Sequence, residues 1–195
     1  MKLSNFYTTV RICLAPVIVF LFFVPDWTGC CSTFSAWVMS PLLGFAEFTD
    51  FLDGYYARKR NEVSDFGKLF DPFADVLLHL TTFLCCVLSG FMPVFLFLIV
   101  IYREFGMNFF RMLATKKGIA IGARKGGKTK TVLYVITSLY VFSLVSLQRL
   151  GVSLDANMSL LKTISYGLST ISVVASLLSF VDYLKVYLPV LKEKN

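Results

Sequence analysis

The sequence has 195 residues, of which 56% are hydrophobic and 16% charged, with 20 Phe among them. Counting Gly with the hydrophobic residues gives about 62%, against the ~45–50% of a soluble domain, so disordered and collagen-like chains are excluded, and a soluble globule nearly so, since its surface needs more polar side chains than this chain has. The formal charge is +7, and in so apolar a chain its placement says more about membrane orientation than about nucleic acid, which is not expected as a partner.

Six apolar stretches follow in chain order: Thr8 to Val24, Phe34 to Ala57, Leu69 to Gly90, Met92 to Leu113, Thr131 to Leu147 and Leu160 to Leu188. Each comes near the ~20 residues needed to cross a bilayer. A segment in lipid must satisfy its own backbone hydrogen bonds, so these read as helices. The predicted fold is therefore all-α, a polytopic integral membrane protein with six transmembrane helices forming a single domain over residues 1–195. Breakers between the stretches fall at Pro25 to Gly29, Ser89 to Pro93 and Gly151 to Asn157. The first stretch also resembles a signal peptide in having a short basic lead, but Trp27 suits a cleavage site poorly, and an uncleaved helix is the preferred reading.

Basic residues alternate between the loops. Lys2 and Arg11 lie at the start, and Arg58, Lys59, Arg60 and Lys68 follow the second stretch. Lys116, Lys117, Arg124, Lys125, Lys128 and Lys130 follow the fourth, and Lys185, Lys192 and Lys194 close the chain. The intervening turns hold only Arg149 and an ambiguous Lys162. This pattern puts both termini in the cytoplasm. Of the five cysteines, Cys13, Cys85 and Cys86 are expected as small core residues; Cys30 and Cys31 fall on the outer side, where a disulfide is allowed but not required. His79, the sole histidine, is expected to be a packed helix residue and not a metal ligand.

Eight of the 12 acidic residues fall between positions 47 and 104: Glu47, Asp50, Asp53, Glu62, Asp65, Asp71, Asp75 and Glu104. Carboxylates in membrane helices are costly and point to function. Asp50 and Asp53 are three apart at the cytoplasmic end of the second helix; Asp71 and Asp75 are four apart at the start of the third. Each pair shares one helix face, and the intervening loop brings the pairs to one depth. Four converging carboxylates need cations, and an all-oxygen set suits Mg²⁺ or Mn²⁺, two of which can clamp a phosphoryl group. Gly54 and Ala57 leave room for a ligand on the same side, and Arg58 is placed to pair with phosphate oxygens.

The stretch Asp50-x2-Asp53-Gly54-x2-Ala57-Arg58-x8-Gly67-x3-Asp71-x3-Asp75 resembles the complete signature of the CDP-alcohol phosphotransferase family. The resemblance implies a six-span enzyme, a homodimer, that transfers a phosphatidyl group from a CDP-linked lipid to an alcohol. It further implies that Asp50, Asp53, Asp71 and Asp75 hold two divalent cations and that Asp75 is also the general base. Gly54, Ala57, Arg58 and Gly67 would then shape the CDP site.

The fourth stretch speaks to the acceptor. Glu104, Asn108 and Arg111 share a face, with Arg103 to one side, and Gly127-Lys128-Thr129-Lys130-Thr131 opens the fifth. Two arginines and two lysines near one membrane face suggest an anionic acceptor. With Asn5, Thr8 and Arg11, these residues resemble the bacterial branch of the family that joins CDP-diacylglycerol to sn-glycerol 3-phosphate, from which Val76 departs, since a Lys usually follows the last aspartate. That branch implies acceptor-phosphate binding by Arg103, Arg111, Lys128 and Lys130, in a bacterial cytoplasmic membrane with the active site facing the cytoplasm. Family members using phosphatidylglycerol or inositol phosphate remain as alternatives. A cation transporter is disfavoured, because its site would lie near the midplane between repeated halves.

Overall fold

The computed structural model describes residues 3–60, 65–118 and 125–193, with side chains over 8–49, 70–118 and 126–189. Six long helices account for nearly all of it: α1 (Leu3–Thr28), α2 (Ser32–Arg60), α3 (Asp65–Leu88), α4 (Val94–Lys116), α5 (Lys125–Arg149) and α6 (Met158–Glu193). A short 3-10 turn, Asp155–Asn157, leads into α6. Four segments are long and apolar enough to cross a membrane by length and composition: Thr8–Thr28, Phe70–Leu88, Gly126–Arg149 and Asp155–Pro189. Helices α2 and α4 are comparably long, 29 and 23 residues, and α4 carries the charged residues Arg103, Glu104 and Arg111 along its length.

Two of the expected breakers end helices in the same way. At Gly90 and Gly151 φ is +77° and +81°, a backbone open to glycine at no steric cost. Each amide N–H and that of the following residue reach back to the last turn: Gly90 to Val87 and Phe91 to Cys86, Gly151 to Gln148 and Val152 to Leu147. This is the Schellman arrangement that closes a helix on its own carbonyls.

The third breaker behaves differently. Pro25 lies inside α1, which runs on to Thr28. A proline has no N–H for the carbonyl one turn back, here that of Leu21. The Ser35 hydroxyl of α2 donates to that carbonyl at 2.6 Å. A tertiary bond thus replaces the missing helical one, and the helix continues.

Polar pairs between helices give their directions. Thr8 and Arg11 of α1 meet Asp71 and Asp75 of α3 in rising order, so these two helices run parallel. Tyr134, Thr137 and Tyr140 of α5 meet Ser176, Ser172 and Leu161 of α6 in falling order, so these run antiparallel. Ser40 and Ser35 of α2 meet Ser146 and Arg149 of α5, again antiparallel. Ser165, Ser169, Ser172, Ser176 and Ser179 form a buried stripe on α6, whose small side chains let neighbouring backbones approach.

The main core joins Ile18, Met39, Leu43, Phe83, Tyr134 and Phe142, and a smaller one joins Met107, Phe110, Ala114 and Tyr183. Large apolar side chains such as Phe20, Trp37, Phe95 and Leu178 point outward, 58–67% exposed, as suits a surface solvated by lipid. Cys85 and Cys86 are buried as expected, but Cys13 is exposed, which corrects its assignment to the core. Position 13 is about 200° around the helix from Arg11, and Arg11 faces inward at 1% exposure. Cys30 and Cys31 are exposed free thiols.

Candidate active site

Two aspartates of the expected site are described with their side chains, and α1 holds both. Thr8 and Arg11 are three residues apart and so share a face. The Thr8 hydroxyl donates to Asp71 Oδ1, and Arg11 Nη1 donates to Asp75 Oδ1. Thr8 and Arg11 are fully buried, whereas a third of the Asp75 side chain is exposed, so the aspartates are braced from behind and open on the other side. Helix α3 starts at Asp65, ahead of the expected Leu69, and Pro72 lies within it; proline's φ is helical, so it costs one hydrogen bond and not the helix.

Asp50, Asp53, Gly54, Ala57 and Arg58 lie on helical backbone near the end of α2, and Gly67 lies in the first turn of α3. Their side chains fall outside the described residues. Among the described residues no group of three or more His, Cys, Asp or Glu is placed to hold a metal; Asp71 and Asp75 are one half of the expected set of four. Their carboxylate oxygens fit a hard divalent cation. The donors on Asp71 and Asp75 orient them as outer groups orient metal ligands.

Across from the aspartates stand the cations. Arg103 and Glu104 of α4 and Lys130 of α5 are each 7% exposed or less. Glu104 Oε2 accepts from Arg103 Nη1 at 2.8 Å, and Oε1 accepts from Lys130 Nζ at 2.8 Å. The Tyr134 hydroxyl lies 3.1 Å from Glu104 Oε1 and 2.7 Å from Ser176 Oγ. Arg103 also gives Nε to the Ser176 carbonyl at 3.1 Å and Nη2 to Ser179 Oγ at 3.5 Å. All three guanidinium nitrogens therefore already have acceptors on the protein.

Arg111 differs. Its guanidinium lies 6.0 Å from the Tyr183 ring centre, and its Nε is buried with no hydrogen-bond partner among the described residues. Lys128 is exposed at the start of α5. Gly127, in the first turn of α5, is packed closely: a Cβ there would lie 3.2 Å from the Tyr183 hydroxyl.

Asp75 and these charged residues of α4 and α5 line one cavity of about 720 Å³. Asp75 and Val76 of α3 form one side, Arg103, Glu104, Met107, Asn108 and Arg111 of α4 another, and Gly127, Lys128 and Lys130 of α5 a third. Glu47 and Phe48 of α2 and Tyr183 of α6 complete the polar end, while Val132, Val135, Ile136 and Leu139 extend it as an apolar strip. The cavity thus joins a carboxylate end, a cationic wall and an apolar wall. Glu47, among the clustered acidic residues but outside the expected site, and Tyr183, which carried no sequence signal, both line the cavity. His79 is buried, with Nδ1 3.5 Å from Glu47 Oε1 and its ring edge-on to Tyr134, a packed residue as expected.

A family model described as CDP-alcohol phosphatidyltransferase matches residues 1–181. A CDP-diacylglycerol–glycerol-3-phosphate 3-phosphatidyltransferase of Treponema pallidum is 41% identical, the match covering 98% of this chain and 92% of that protein. Proteins of the same description from Bacillus subtilis and Mycoplasma genitalium are 35% and 30% identical, over 69% and 93% of this chain and 73% and 82% of their own lengths.

Proposed function

The chain belongs to the CDP-alcohol phosphatidyltransferase family, and on that premise we propose that it transfers the phosphatidyl group of CDP-diacylglycerol to sn-glycerol 3-phosphate, giving phosphatidylglycerophosphate and CMP. The observation that carries this reading is the shared cavity: Asp75 and the cations Arg111, Lys128 and Lys130 open onto the same space. An acceptor with a hydroxyl at one end and a phosphate at the other matches that polarity. Relatives named for this reaction, matching nearly the whole chain in two cases, support the choice of donor and acceptor.

The residues divide the work between them. Asp75 takes the proton from the acceptor hydroxyl, and the resulting oxygen attacks the lipid-side phosphorus. A new P–O bond forms there as the P–O bond to CMP breaks. Arg11 and Thr8 hold Asp75 and Asp71 in place. Asp50, Asp53, Asp71 and Asp75 would hold two Mg²⁺ or Mn²⁺ ions, which supply electrostatic stabilisation of the diphosphate. Gly54, Ala57, Arg58 and Gly67 shape the CDP site.

At the acceptor end, Arg111 and Lys130 contact the phosphate. Lys130 has Glu104 as its only hydrogen-bond partner among the described residues, so an ammonium with three donors keeps capacity for a ligand. Lys128 adds charge at the rim. Arg103 adds charge from behind, since its nitrogens are already engaged. Gly127 and Lys128 lie in the first turn of α5, whose N-terminal dipole also favours an anion.

The chain acts as one six-span domain with both termini cytoplasmic, as a homodimer in the bacterial inner membrane. The parallel pairing of α1 with α3 and antiparallel pairing of α5 with α2 and α6 support the alternating spans. The test is Arg111→Ala: removing a charge-assisted contact to phosphate raises KM for glycerol 3-phosphate about tenfold or more, with little change in KM for CDP-diacylglycerol. An unchanged KM and rate for glycerol 3-phosphate would remove Arg111 from the site.

A further inference from the structure

Four cations around one small cavity at membrane depth repel one another, and each is costly to bury. Of the carboxylates that line the cavity, Glu47, Asp75 and Glu104, Glu104 bridges two of these cations. Glu104 is 2% exposed and takes Arg103 on one oxygen and Lys130 on the other. It belongs to α4, Lys130 to α5, and the Ser176 and Ser179 partners of Arg103 to α6, so three helices meet at this residue.

The two cations leave Glu104 with different capacities. Arg103 is engaged on every nitrogen and works as a strut to α6. Lys130 is held by one hydrogen bond and by the Tyr134 ring, 4.7 Å from the ring centre. Its ammonium is therefore fixed in place without being saturated. Glu104 itself faces the same cavity, yet both of its oxygens have partners and it adds no unpaired negative charge to an anion site.

We propose that Glu104 is the positioning residue of the acceptor-phosphate site: by bridging Arg103 and Lys130 it fixes the Lys130 ammonium at the wall of the cavity that Arg111 also lines. This rests on the reading that the acceptor is a phosphomonoester. Glu104 acts through Lys130 and touches neither the donor lipid nor the reacting atoms.

The test uses the full-length enzyme in detergent, with CMP release as the readout. Glu104→Gln keeps the side-chain size but turns an NH2 group toward one of the two cations. KM for glycerol 3-phosphate rises about tenfold, as for one lost charge-assisted hydrogen bond, while kcat and KM for CDP-diacylglycerol change less than about threefold. In a Lys130→Met background the same substitution adds little, because the coupled pair is already broken. Tyr134→Phe, which keeps every charge and the ring beside Lys130 but removes the hydroxyl shared by Oε1 of Glu104 and Oγ of Ser176, shows the same split at about threefold; it decides the matter where Glu104→Gln does not fold.

Equal losses toward both substrates, or full additivity with Lys130→Met, overturn the positioning role and leave Glu104 as a packing residue. A folded Glu104→Gln enzyme with an unchanged KM for glycerol 3-phosphate overturns it as well. Failure of the functional reading looks different: the unsubstituted enzyme itself would then release CMP with some other acceptor and not with glycerol 3-phosphate.

Discussion

At the end of the bundle opposite the cavity, Arg149 ties three helices together, and its replacement separates stability from catalysis. Arg149 Nη1 donates to Ser35 Oγ at 2.7 Å, and Nη2 donates to the Phe22 carbonyl and reaches Asp26 at 3.3 Å. Its guanidinium also lies over the Phe22 ring, 5.2 Å from the centre. The contact with Asp26, whose side chain is 61% exposed, contributes little. The two part-buried hydrogen bonds to a charged donor are worth up to about 1.5–3 kcal/mol each, and the ring contact about 0.5–1 kcal/mol. Against this, Arg149→Met removes a charge that is costly to bury, and Ser35 keeps its bond to the Leu21 carbonyl. A net loss of about 2–4 kcal/mol is expected, or about 5–12 °C in Tm for a chain of this size. The assay is thermal unfolding in detergent, paired with CMP release well below the transition. Ser35→Ala in the same background should be markedly non-additive, since the residues share a bond. A Tm within about 1 °C of the unsubstituted protein would show that these bonds add no net stability, and a fall in kcat/KM in folded enzyme would show that Arg149 acts on the site as well.

Two further predictions concern the aspartates. Thr8→Val removes the hydroxyl that orients Asp71 and preserves shape; the Mg²⁺ concentration for half-maximal CMP release should rise about tenfold, and an unchanged metal dependence would show that Thr8 only packs. Asp75→Asn should abolish transfer while metal-dependent binding of CDP-diacylglycerol survives, measured by retention of the radiolabelled lipid; normal turnover in that variant would remove Asp75 as the base.

The helical architecture was legible in hydropathy, and the turns at 89–93 and 151–157 in their Gly and Pro residues, because those signals are local. What hydropathy does not encode in lipid is which side of a helix faces inward. Cys13 looks as much a core residue as Cys85, and only the inward Arg11 shows that position 13 faces out. The extension of α1 past Pro25 was hidden for a related reason: the hydroxyl that satisfies the Leu21 carbonyl comes from Ser35, on the next helix. Polar partners are long-range in the same sense. Asp75 was conspicuous in the sequence, yet its pairing with Arg11, 64 residues earlier, follows from the parallel packing of α1 and α3. Arg103 and Arg111 looked alike as buried cations on one helix. Packing separates them: both line the cavity, but Arg103 gives its nitrogens to Glu104 and the serine stripe of α6, whereas Arg111 Nε has no hydrogen-bond partner among the described residues. The regular spacing of Ser165, Ser169, Ser172, Ser176 and Ser179 was a readable sign of that close contact.

The most direct test of the whole account is CMP release from CDP-diacylglycerol by the purified chain, with glycerol 3-phosphate, phosphatidylglycerol, inositol phosphate and inositol offered separately. Each acceptor is assayed with Mg²⁺ or Mn²⁺ and with a chelator. Release is expected with glycerol 3-phosphate alone, lost on chelation and restored by either ion. Equal or faster release with phosphatidylglycerol or inositol phosphate, or none with glycerol 3-phosphate, would contradict the proposed reaction.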